Sequence, residues 1–319
     1  MTNKTHVLLW IDSSTAYVDA VKAAGLADRV VLDIVPRKET PSDEQLARAE
    51  ALMSYSVPPG VFAAMPRLRW VQAMTAGVDG WIAMPDLPET LTLTCARGTH
   101  GESMPENIIG ALMYIAKPVA QAVANQKERK WVQKPAEPLS GKTLGILGLG
   151  VIGLEVARIA SALGLRVVGT RRRPQPADHV AEVLPPERTP EVLAQSDYVL
   201  VLLPATPATD RFINAERLGM MKPNAWLLNF GRGQLVDDED LIAAVQARKI
   251  AGAVLDVFRQ EPLPPTDPFW STDGIIVLPH IGGPHPERDK IVARLFVANL
   301  ERFLNGEGLQ EVVDREAGY

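Results

Sequence analysis

The stretch from residue 142 to residue 173, KTLGILGLGVIGLEVARIASALGLRVVGTRRR, constrains the fold of this chain more than any other. An apolar run from Thr143 to Leu147 has the length and composition of a buried parallel strand. Glycines then follow in the spacing G-x-G-x-x-G, the segment from Val151 to Leu163 predicts a helix, and a second apolar run predicts another strand. A strand, a glycine turn and a helix in this order are typical of a dinucleotide-binding unit.

Each glycine of this motif has its own physical reason. Gly148 permits a tight turn after the strand, Gly150 lets the backbone approach a pyrophosphate, and Gly153 lets the helix pack closely on the strand. The N-terminus of the helix offers free N–H groups and the positive end of its dipole to the phosphates. The predicted phosphate-binding residues are Gly148, Gly150, Val151, Ile152 and Gly153.

The end of the second strand indicates which cofactor to expect. An NAD-binding unit usually carries Asp or Glu there to bind the ribose 2′-hydroxyl, whereas this chain has Thr170, Arg171, Arg172 and Arg173. Guanidinium groups suit a phosphate through forked, charge-assisted hydrogen bonds. These residues predict a 2′-phosphate site and a preference for NADP(H), with NAD(H) still possible. The alternative interpretation is a solvated basic loop.

A second phosphate-binding pattern is rejected. Gly141-Lys142-Thr143 resembles the end of a P-loop, but the position of the leading glycine holds Ala136. The triplet also precedes its strand instead of following one. ATP binding through a P-loop is therefore not expected.

Composition narrows the class of protein. A chain of 319 residues has room for two domains, each with its own core. The hydrophobic content of 46% and the charged content of 22% are those of an ordinary soluble globular protein. The net charge of −5, with no long basic run, argues against a nucleic-acid partner.

The cysteine and histidine content points to a cytoplasmic protein without a metal. Cys95 stands alone in the sequence, which precludes an intramolecular disulfide framework and fits a reducing compartment. Neither a signal peptide nor a bilayer-spanning apolar stretch is expected. The five histidines are scattered without metal-ligand spacing, so we predict no metal site.

Strands and helices alternate along the chain, which implies an α/β fold with parallel sheets covered on both faces. Strands are predicted at 6–11, 29–35, 50–57, 68–73, 91–96, 143–147, 197–203, 225–230, 250–257 and 275–278. A Pro/Lys/Glu-rich loop is predicted after Val35. A long helix, capped at Ser103 or Met104, is predicted to run to Lys130 and to be kinked or divided at Pro118. A final amphipathic helix is predicted from about Pro286 to Leu304.

Three residues able to do chemistry follow strand ends in the cofactor-binding half. Arg232 lies between Gly231 and Gly233, which are expected to leave room for a ligand beside the guanidinium. Glu261 follows the strand VLDVF, and His280 follows the strand IIVL. Each alone is more often a solvated, turn or packed residue. Together they supply an anion clamp, a carboxylate and a proton donor, as hydride transfer to a 2-oxo acid requires.

At this point the sequence resembles the D-isomer-specific 2-hydroxyacid dehydrogenase family. The resemblance spans nearly the whole chain and includes TAGVD at 75–79. Within the family, the sequence is most similar to the glyoxylate/hydroxypyruvate reductase A group, and the C-terminal segment 313–319 also resembles that group. It is densest at GLGVIG (148–153), LLPATPAT (202–209), LLNFGRGQLVDDEDL (227–241), AVLDVFRQEPLP (253–264) and LPHIGG (278–283).

The resemblance implies catalytic roles. His280 is expected to be the general acid that protonates the C2 oxygen as hydride arrives from the nicotinamide. Glu261 is expected to bind the imidazole and select its tautomer and protonated form. Arg232 is expected to bind the substrate carboxylate and polarise the ketone.

Further roles are implied for residues that bind substrate and cofactor. The loop residues Ala76, Gly77 and Val78 are expected to hold the substrate carboxylate through backbone N–H groups. Asp256 is expected to orient the nicotinamide carboxamide. Three residues of the LLPATPAT loop are expected to line the cofactor: Leu203, Pro204 and Thr206.

This chain also departs from the family pattern. Ala208 stands where the family loop often has an acidic residue, and Phe230 stands where a small residue is more usual. Gly282 and Gly283 predict an unusually flexible loop after His280. Trp131 is predicted at the end of the long helix, as a packed aromatic or as a contact to a neighbouring subunit.

The sequence therefore predicts two Rossmann-like, doubly wound domains with the active site in the interdomain cleft. Residues 1–101 and 287–319 form a substrate-binding, flavodoxin-like domain, and residues 102–286 form the dinucleotide-binding domain. The predicted function is NADP(H)-dependent reduction of glyoxylate or hydroxypyruvate by a cytoplasmic homodimer. The alternatives are another family member, acting on phosphoglycerate or a bulkier 2-oxo acid, and a non-catalytic dinucleotide-sensing regulator.

Overall fold

A computed structural model describes residues 4–318 and divides the chain into two compact units. Unit 1 consists of Met1–Thr99 and His285–Tyr319, and unit 2 consists of His100–Pro284. The ranges predicted from the sequence place the same two boundaries two residues later. Tyr319, the last residue of the predicted C-terminal motif, lies outside the described residues.

Unit 1 is built on a five-stranded parallel sheet. The strands are β1 (Thr5–Trp10), β2 (Val30–Val35), β3 (Ala51–Ser54), β4 (Trp70–Ala73) and β5 (Thr92–Thr94), in the order β2-β1-β3-β4-β5. This is the flavodoxin-like strand order. The helices are α1 (Thr15–Ala23), α2 (Asp43–Arg48), α3 (Asp79–Ile82) and the last helix of the chain, α10 (Arg288–Asn305), with a 3₁₀ turn at Val61–Ala64.

Both faces of this sheet are buried. Alternate residues of β1 enter different apolar clusters, with Leu8 on one face and Val7 on the other. On the second face Trp70 stacks on Phe296 of α10, with ring centroids 5.7 Å apart. A parallel sheet covered on both sides explains why these strands are continuous apolar runs.

The predicted loop after Val35 is present at residues 36–42, but it leads into a helix of unit 1 that the sequence prediction does not contain. Helix α2 begins after Ser42, whose hydroxyl accepts a hydrogen bond from the Gln45 backbone N–H. The Gln45 side chain in turn accepts one from the Ser42 backbone N–H. This reciprocal capping box starts a helix of only six residues, too short to show an apolar periodicity.

Unit 2 begins with a divided helix. Helix α4 (Ser103–Ala116) is separated by Lys117 and Pro118 from α5 (Val119–Lys127), and the two are bent by 66°. Division at the proline agrees with the prediction, but the N-cap is Glu102 and α5 ends before Lys130. Within residues 4–318 no single helix is long and apolar enough to cross a membrane; α4 and α5 reach that length and composition only as a bent pair.

The remaining elements of unit 2 form a seven-stranded parallel sheet with its covering helices. The strands are β6 (Thr143–Leu147), β7 (Arg166–Thr170), β8 (Glu182–Leu184), β9 (Tyr198–Val201), β10 (Trp226–Asn229), β11 (Gly252–Leu255) and β12 (Ile275–Val277). The helices are α6 (Val151–Ala162), α7 (Thr189–Gln195), α8 (Ala215–Gly219) and α9 (Asp238–Gln246), with 3₁₀ turns at Pro186–Arg188, Gly233–Leu235 and Pro268–Trp270. The short elements β8 and α8 are absent from the sequence prediction.

The strand order β12-β11-β10-β9-β6-β7-β8 reverses direction between β6 and β9. This is the Rossmann arrangement, in which ligands bind at the carboxyl ends of the strands beside the reversal. The two parallel sheets and their helices confirm the predicted fold class of two Rossmann-like α/β domains.

Candidate active site

The register of the unit 2 sheet brings the predicted site residues to one edge. The last residues of six strands pair in a single row: Thr170, Leu147, Val201, Asn229, Leu255 and Val277. The glycine motif, Arg232, Asp256, Glu261 and His280 all lie in the loops that leave this row. Parallel strands guarantee this arrangement, because their carboxyl ends meet at the same edge.

The glycine loop has the shape that a dinucleotide phosphate needs. Gly148 has φ +105°, and a Cβ there would lie 2.9 Å from the backbone of Leu202. A Cβ on Gly153 would lie 2.7 Å from the carbonyl oxygen of Gly148, so only glycine allows α6 this close to the loop. At Gly150, the N-cap of α6, a Cβ would meet no atom within 4 Å. This open space lies before the unbonded N–H groups of the first helical turn and fits a pyrophosphate.

The arginine cluster lies beside this loop. The carbonyl oxygen of Thr170 accepts hydrogen bonds from the N–H groups of Gly148 and Leu149, which ties the end of β7 to the glycine turn. The side chains of residues 171–173 are exposed directly after that strand. Three guanidinium groups therefore lie next to the glycine turn.

The loop that carries Arg232 is shaped by a buried asparagine. Asn229, only 1% exposed, donates to the Arg232 carbonyl oxygen and accepts from the Gly231 N–H at 2.9 and 3.1 Å. A Cβ on Gly231 would lie 2.6 Å from Leu235, and one on Gly233 would lie 2.0 Å from the backbone of Phe258. These glycines serve close packing, which corrects the expectation that they leave room for a ligand.

Glu261 and His280 form a directly bonded pair. The Nδ1 atom of His280 lies 2.6 Å from Oε2 of Glu261, and the other carboxylate oxygen accepts a hydrogen bond from the Phe258 N–H at 2.9 Å. The carboxylate is thus held from both sides, and the His280 side chain, 49% exposed, has its Nε2 atom left for a ligand. An acidic partner on Nδ1 selects the tautomer that carries its proton on that nitrogen.

The Phe258 contact also joins this pair to the Arg232 loop. Gly233 packs against the backbone of Phe258, whose N–H holds Glu261. Arg259 adds a second connection, since its guanidinium donates to the carbonyl oxygens of Gln234 and Val236 at 3.0 and 2.9 Å. The loops after β10 and β11 are therefore rigidly coupled.

Asp256 is buried at the end of β11 and holds the loop after His280. Its two oxygens accept hydrogen bonds from the N–H groups of Ile281 and Gly282 at 2.8 and 2.9 Å. Burial raises the pKa of Asp256 to about 6, although these two N–H groups favour the carboxylate. A carboxyl with this pKa is mainly ionised at neutral pH.

The same contacts correct the expectation of a flexible loop at Gly282 and Gly283. A Cβ on Gly282 would lie 2.6 Å from Oδ2 of Asp256 and 2.9 Å from the ring of Phe230. Phe230 itself is only 2% exposed and belongs to the apolar cluster beneath α4 and α6. Glycine is needed here for close approach, and Phe230 is a core residue.

The other half of the sequence prediction lies in unit 1. The loop with Ala76, Gly77 and Val78 follows β4 and is closed by a hydrogen bond from the Thr75 hydroxyl to the Gly77 carbonyl oxygen. Arg288 of α10 donates to the carbonyl oxygen of Met74 just before it. The assignment of this loop to substrate binding stays a prediction.

Comparison with known proteins identifies the family. Residues 109–282 match the sequence model described as "D-isomer specific 2-hydroxyacid dehydrogenase, NAD binding domain". The chain belongs to the D-isomer-specific 2-hydroxyacid dehydrogenases.

Relatives and solved structures of this dehydrogenase family extend the match to both units. A glyoxylate reductase of Korarchaeum cryptofilum is 32% identical over 285 residues, which are 86% of this chain and 85% of the relative. A glyoxylate/hydroxypyruvate reductase A of Yersinia enterocolitica is 30% identical over 85% of this chain and 88% of its own. A family member from Xanthobacter autotrophicus Py2, crystallised with NADPH and MES, has a TM-score of 0.88 at 29% identity, covering 99% and 100% of the two chains.

Several residues that shape this dehydrogenase site are missing from the sequence prediction. Asn229 bonds the carbonyl oxygen of Arg232 in its own loop, whereas Arg259 and Asn107 of α4 bond carbonyl groups of loops 25 and 174 residues away. No local motif marks such contacts. The loop at 204–209 is also self-contained, since the Thr209 hydroxyl donates to the Pro204 carbonyl oxygen at 2.7 Å and accepts from the Thr206 N–H at 2.8 Å.

Among residues 4–318 no group of three His, Cys, Asp or Glu side chains could hold a metal ion. The absence of a metal from the reaction stays a prediction. Cys95 is fully buried beside β5, and burial raises the pKa of its thiol.

Proposed function

We propose that this dehydrogenase is an NADP(H)-dependent reductase of small 2-oxo acids, with glyoxylate and hydroxypyruvate as its leading substrates. The single observation that carries the proposal is the bonded pair of His280 and Glu261 at the sheet edge that also holds Arg232. Relatives named as glyoxylate reductases support the choice of small substrates. The arginine cluster and the NADPH complex of the Xanthobacter relative support the choice of cofactor.

The side chains divide the reduction among themselves. His280 gives a proton from Nε2 to the carbonyl oxygen of the substrate, because Nδ1 is occupied by Glu261. Glu261 stabilises the imidazolium before the transfer and holds the neutral ring afterwards. Arg232 binds the carboxylate of the 2-oxo acid and stabilises negative charge that grows on the reacting oxygen. General acid catalysis of this kind contributes about 10²- to 10⁴-fold.

The nicotinamide cofactor, when bound, supplies the hydride that reaches C2 as the oxygen is protonated. The open space at Gly150 and the first turn of α6 would hold its pyrophosphate, and residues 171–173 would bind the ribose 2′-phosphate. The product is the 2-hydroxy acid.

Steady-state kinetics with glyoxylate, hydroxypyruvate and a bulky aromatic 2-oxo acid, each with NADPH and NADH, test this proposal. We expect glyoxylate or hydroxypyruvate with NADPH to give the highest kcat/KM. His280→Ala should abolish turnover, whereas His179→Ala should not, because that histidine is exposed and contacts only Ser161 among the hydrogen bonds described for it. Faster turnover of the bulky acid would point to the alternative substrates. NADPH binding without turnover by the wild type would point to a regulator.

We also propose that the enzyme is a cytoplasmic homodimer. Large apolar side chains are exposed along one segment of unit 2: Tyr114, Val119, Val123, Trp131 and Val132. Exposed large apolar side chains, where they form a contiguous patch, mark an interaction surface. Val123→Glu should reduce the mass measured by light scattering from dimer to monomer, whereas Ile34→Glu, also at an exposed apolar residue, should not. The cytoplasmic location is supported by the use of a single cysteine and is tested by cell fractionation.

A further inference from the structure

His280 has a backbone conformation that its neighbours must maintain. Its φ is +52°, a left-handed value that residues other than glycine seldom adopt. On its N-terminal side stands Pro279, whose ring fixes φ. The direction of the imidazole therefore depends on how firmly the next two residues, Ile281 and Gly282, are held.

All four backbone polar groups of Ile281 and Gly282 are bonded by two side chains. Asp256 accepts from both N–H groups, as described above. The amide nitrogen Nδ2 of Asn107, on α4, donates to both carbonyl oxygens at 3.1 and 3.0 Å. A side-chain amide has two N–H donors, enough for both carbonyl groups, and the same nitrogen also lies 3.5 Å from the hydroxyl oxygen of Ser103. We call Asp256 and Asn107 together the loop clamp.

The clamp draws on parts of the sequence that are far apart. Asn107 is 174 and 175 residues from the two residues it holds, and Asp256 is 25 and 26 residues from them. The peptide group between Ile281 and Gly282 contains the Ile281 carbonyl, bonded by Asn107, and the Gly282 N–H, bonded by Asp256, so rotating it would break one hydrogen bond to each side chain. The loop therefore cannot reorient while both side chains are in place.

We propose that Asn107 is a positioning residue for the reaction: by clamping the two residues after His280, it keeps the imidazole on Glu261 with Nε2 facing the substrate. This inference rests on the proposed function, because the role of the clamp is to aim the general acid. Asn107 acts through the loop backbone, to which both of its clamp bonds are made.

A positioning role and a helix-stabilising role for Asn107 predict different orders of kcat among its variants. Asn107 lies inside α4, where Ala and Gln are better helix formers than Asn. A residue that merely supported the helix would be replaced by Ala without loss. If the clamp positions His280, kcat should be highest with Asn at position 107, lower with Gln, and lowest with Ala or Asp. Gln keeps the two N–H donors, whereas Asp places a carboxylate against two carbonyl oxygens.

Kinetics of Asn107→Ala, Asn107→Gln and Asn107→Asp test this order. We expect kcat for Asn107→Ala to fall by about 10- to 100-fold, since misplacing a catalytic group by about 1 Å costs about 10²-fold. The KM for NADPH should stay within about 2-fold, because the glycine loop is untouched. Asn107→Gln should recover part of kcat. Asn125→Ala, at an asparagine of α5 bonded to Gln121, is the matched control and should keep the wild-type kcat.

Amide hydrogen exchange of the segment 279–283 measures how firmly the clamp holds the loop and does not depend on turnover. Exchange at Ile281 and Gly282 should be faster in Asn107→Ala than in the wild type and unchanged in Asn125→Ala. If the wild type reduces no 2-oxo acid, the proposed function fails while the exchange result still tests the clamp. Wild-type kcat with unchanged exchange in Asn107→Ala would overturn the inference, as would a loss expressed only in the KM for NADPH.

Discussion

Adding one methyl group at Gly282 should disable the general acid while leaving the backbone conformation allowed. Gly282 is not among the residues with positive φ, so alanine is tolerated by the main chain. The new Cβ, however, would lie 2.6 Å from Oδ2 of Asp256 and 2.9 Å from Phe230, whereas ordinary contact begins at 3.4 Å. One partner must therefore move by about 0.8 Å.

The surroundings decide which partner moves. Asp256 and Phe230 are 1% and 2% exposed and are therefore surrounded by protein, so we expect the loop that carries His280 to be displaced instead. Overpacking of this kind costs about 1–3 kcal/mol of unfolding free energy. A shift of nearly 1 Å at the general acid lowers the rate by about 10²-fold. We expect Gly282→Ala to show both effects, with the larger one on kcat.

Gly283→Ala is the matched comparison, because its Cβ would lie 3.3 Å from the ring of His100, a contact that a small movement relieves. Glyoxylate reduction, followed through the absorbance of NADPH, and urea unfolding should be measured for both variants. We expect Gly283→Ala to lose less than about 5-fold in kcat, as small overpacking strain would allow. Near-wild-type kcat in Gly282→Ala, or equal losses in the two variants, would refute the reasoning.

Three further predictions concern the cofactor site and the buried carboxyl. Replacing residues 171–173 together by alanine should raise the KM for NADPH by about 10- to 100-fold, because hydrogen bonds to the charged 2′-phosphate are lost, and should change the KM for NADH little. Arg158→Ala, on the exposed face of α6, is the control. Equal changes of the two KM values, or a similar effect of Arg158→Ala, would show that only surface charge was lost. Gly150→Ala should weaken NADPH binding in a fluorescence titration without changing the unfolding free energy, because its Cβ meets no protein atom. Gly153→Ala should weaken NADPH binding and also lower the unfolding free energy. Equal losses of unfolding free energy in the two variants would contradict this. The pKa of Asp256 is raised from 3.8 to about 6, so between these pH values the folded chain binds more protons than the unfolded chain. As the pH rises from about 4 to 6, the wild type should therefore lose stability relative to Asp256→Asn, by at most about 3 kcal/mol of unfolding free energy measured in urea. A stability difference that stays flat or rises with pH would contradict the burial argument.

Most of the sheet architecture is readable from local sequence because buried parallel strands are continuous apolar runs. The run Thr143–Leu147 is a strand with the predicted bounds, and the other predicted strands are present with ends shifted by a few residues. The helix α2 was not predicted, since six residues with only Leu46 buried show no apolar periodicity. Strand β8, with three residues at the sheet edge, is missed for the same reason of length.

The candidate site was predictable where a residue type and its place after a strand suffice. Arg232, Glu261 and His280 were identified in this way, and the structure bonds the last two directly. The reason for the glycines beside them was not predictable. Gly231, Gly233 and Gly282 face side chains or backbone from elsewhere in the chain, and sequence spacing carries no information about those distances.

The class of fold, the dinucleotide motif and the family are readable from the amino-acid sequence, because each depends on short-range pattern: apolar runs, glycine spacing and residues after strand ends. How the His280 loop is held follows from the tertiary structure and not from any local pattern. The clamp on the His280 loop comes from Asp256 on a neighbouring strand end and Asn107 on a helix 174 residues away, through backbone groups that every residue possesses. Bonds to backbone atoms leave no signature in the residue types they hold, so only the folded chain reveals them.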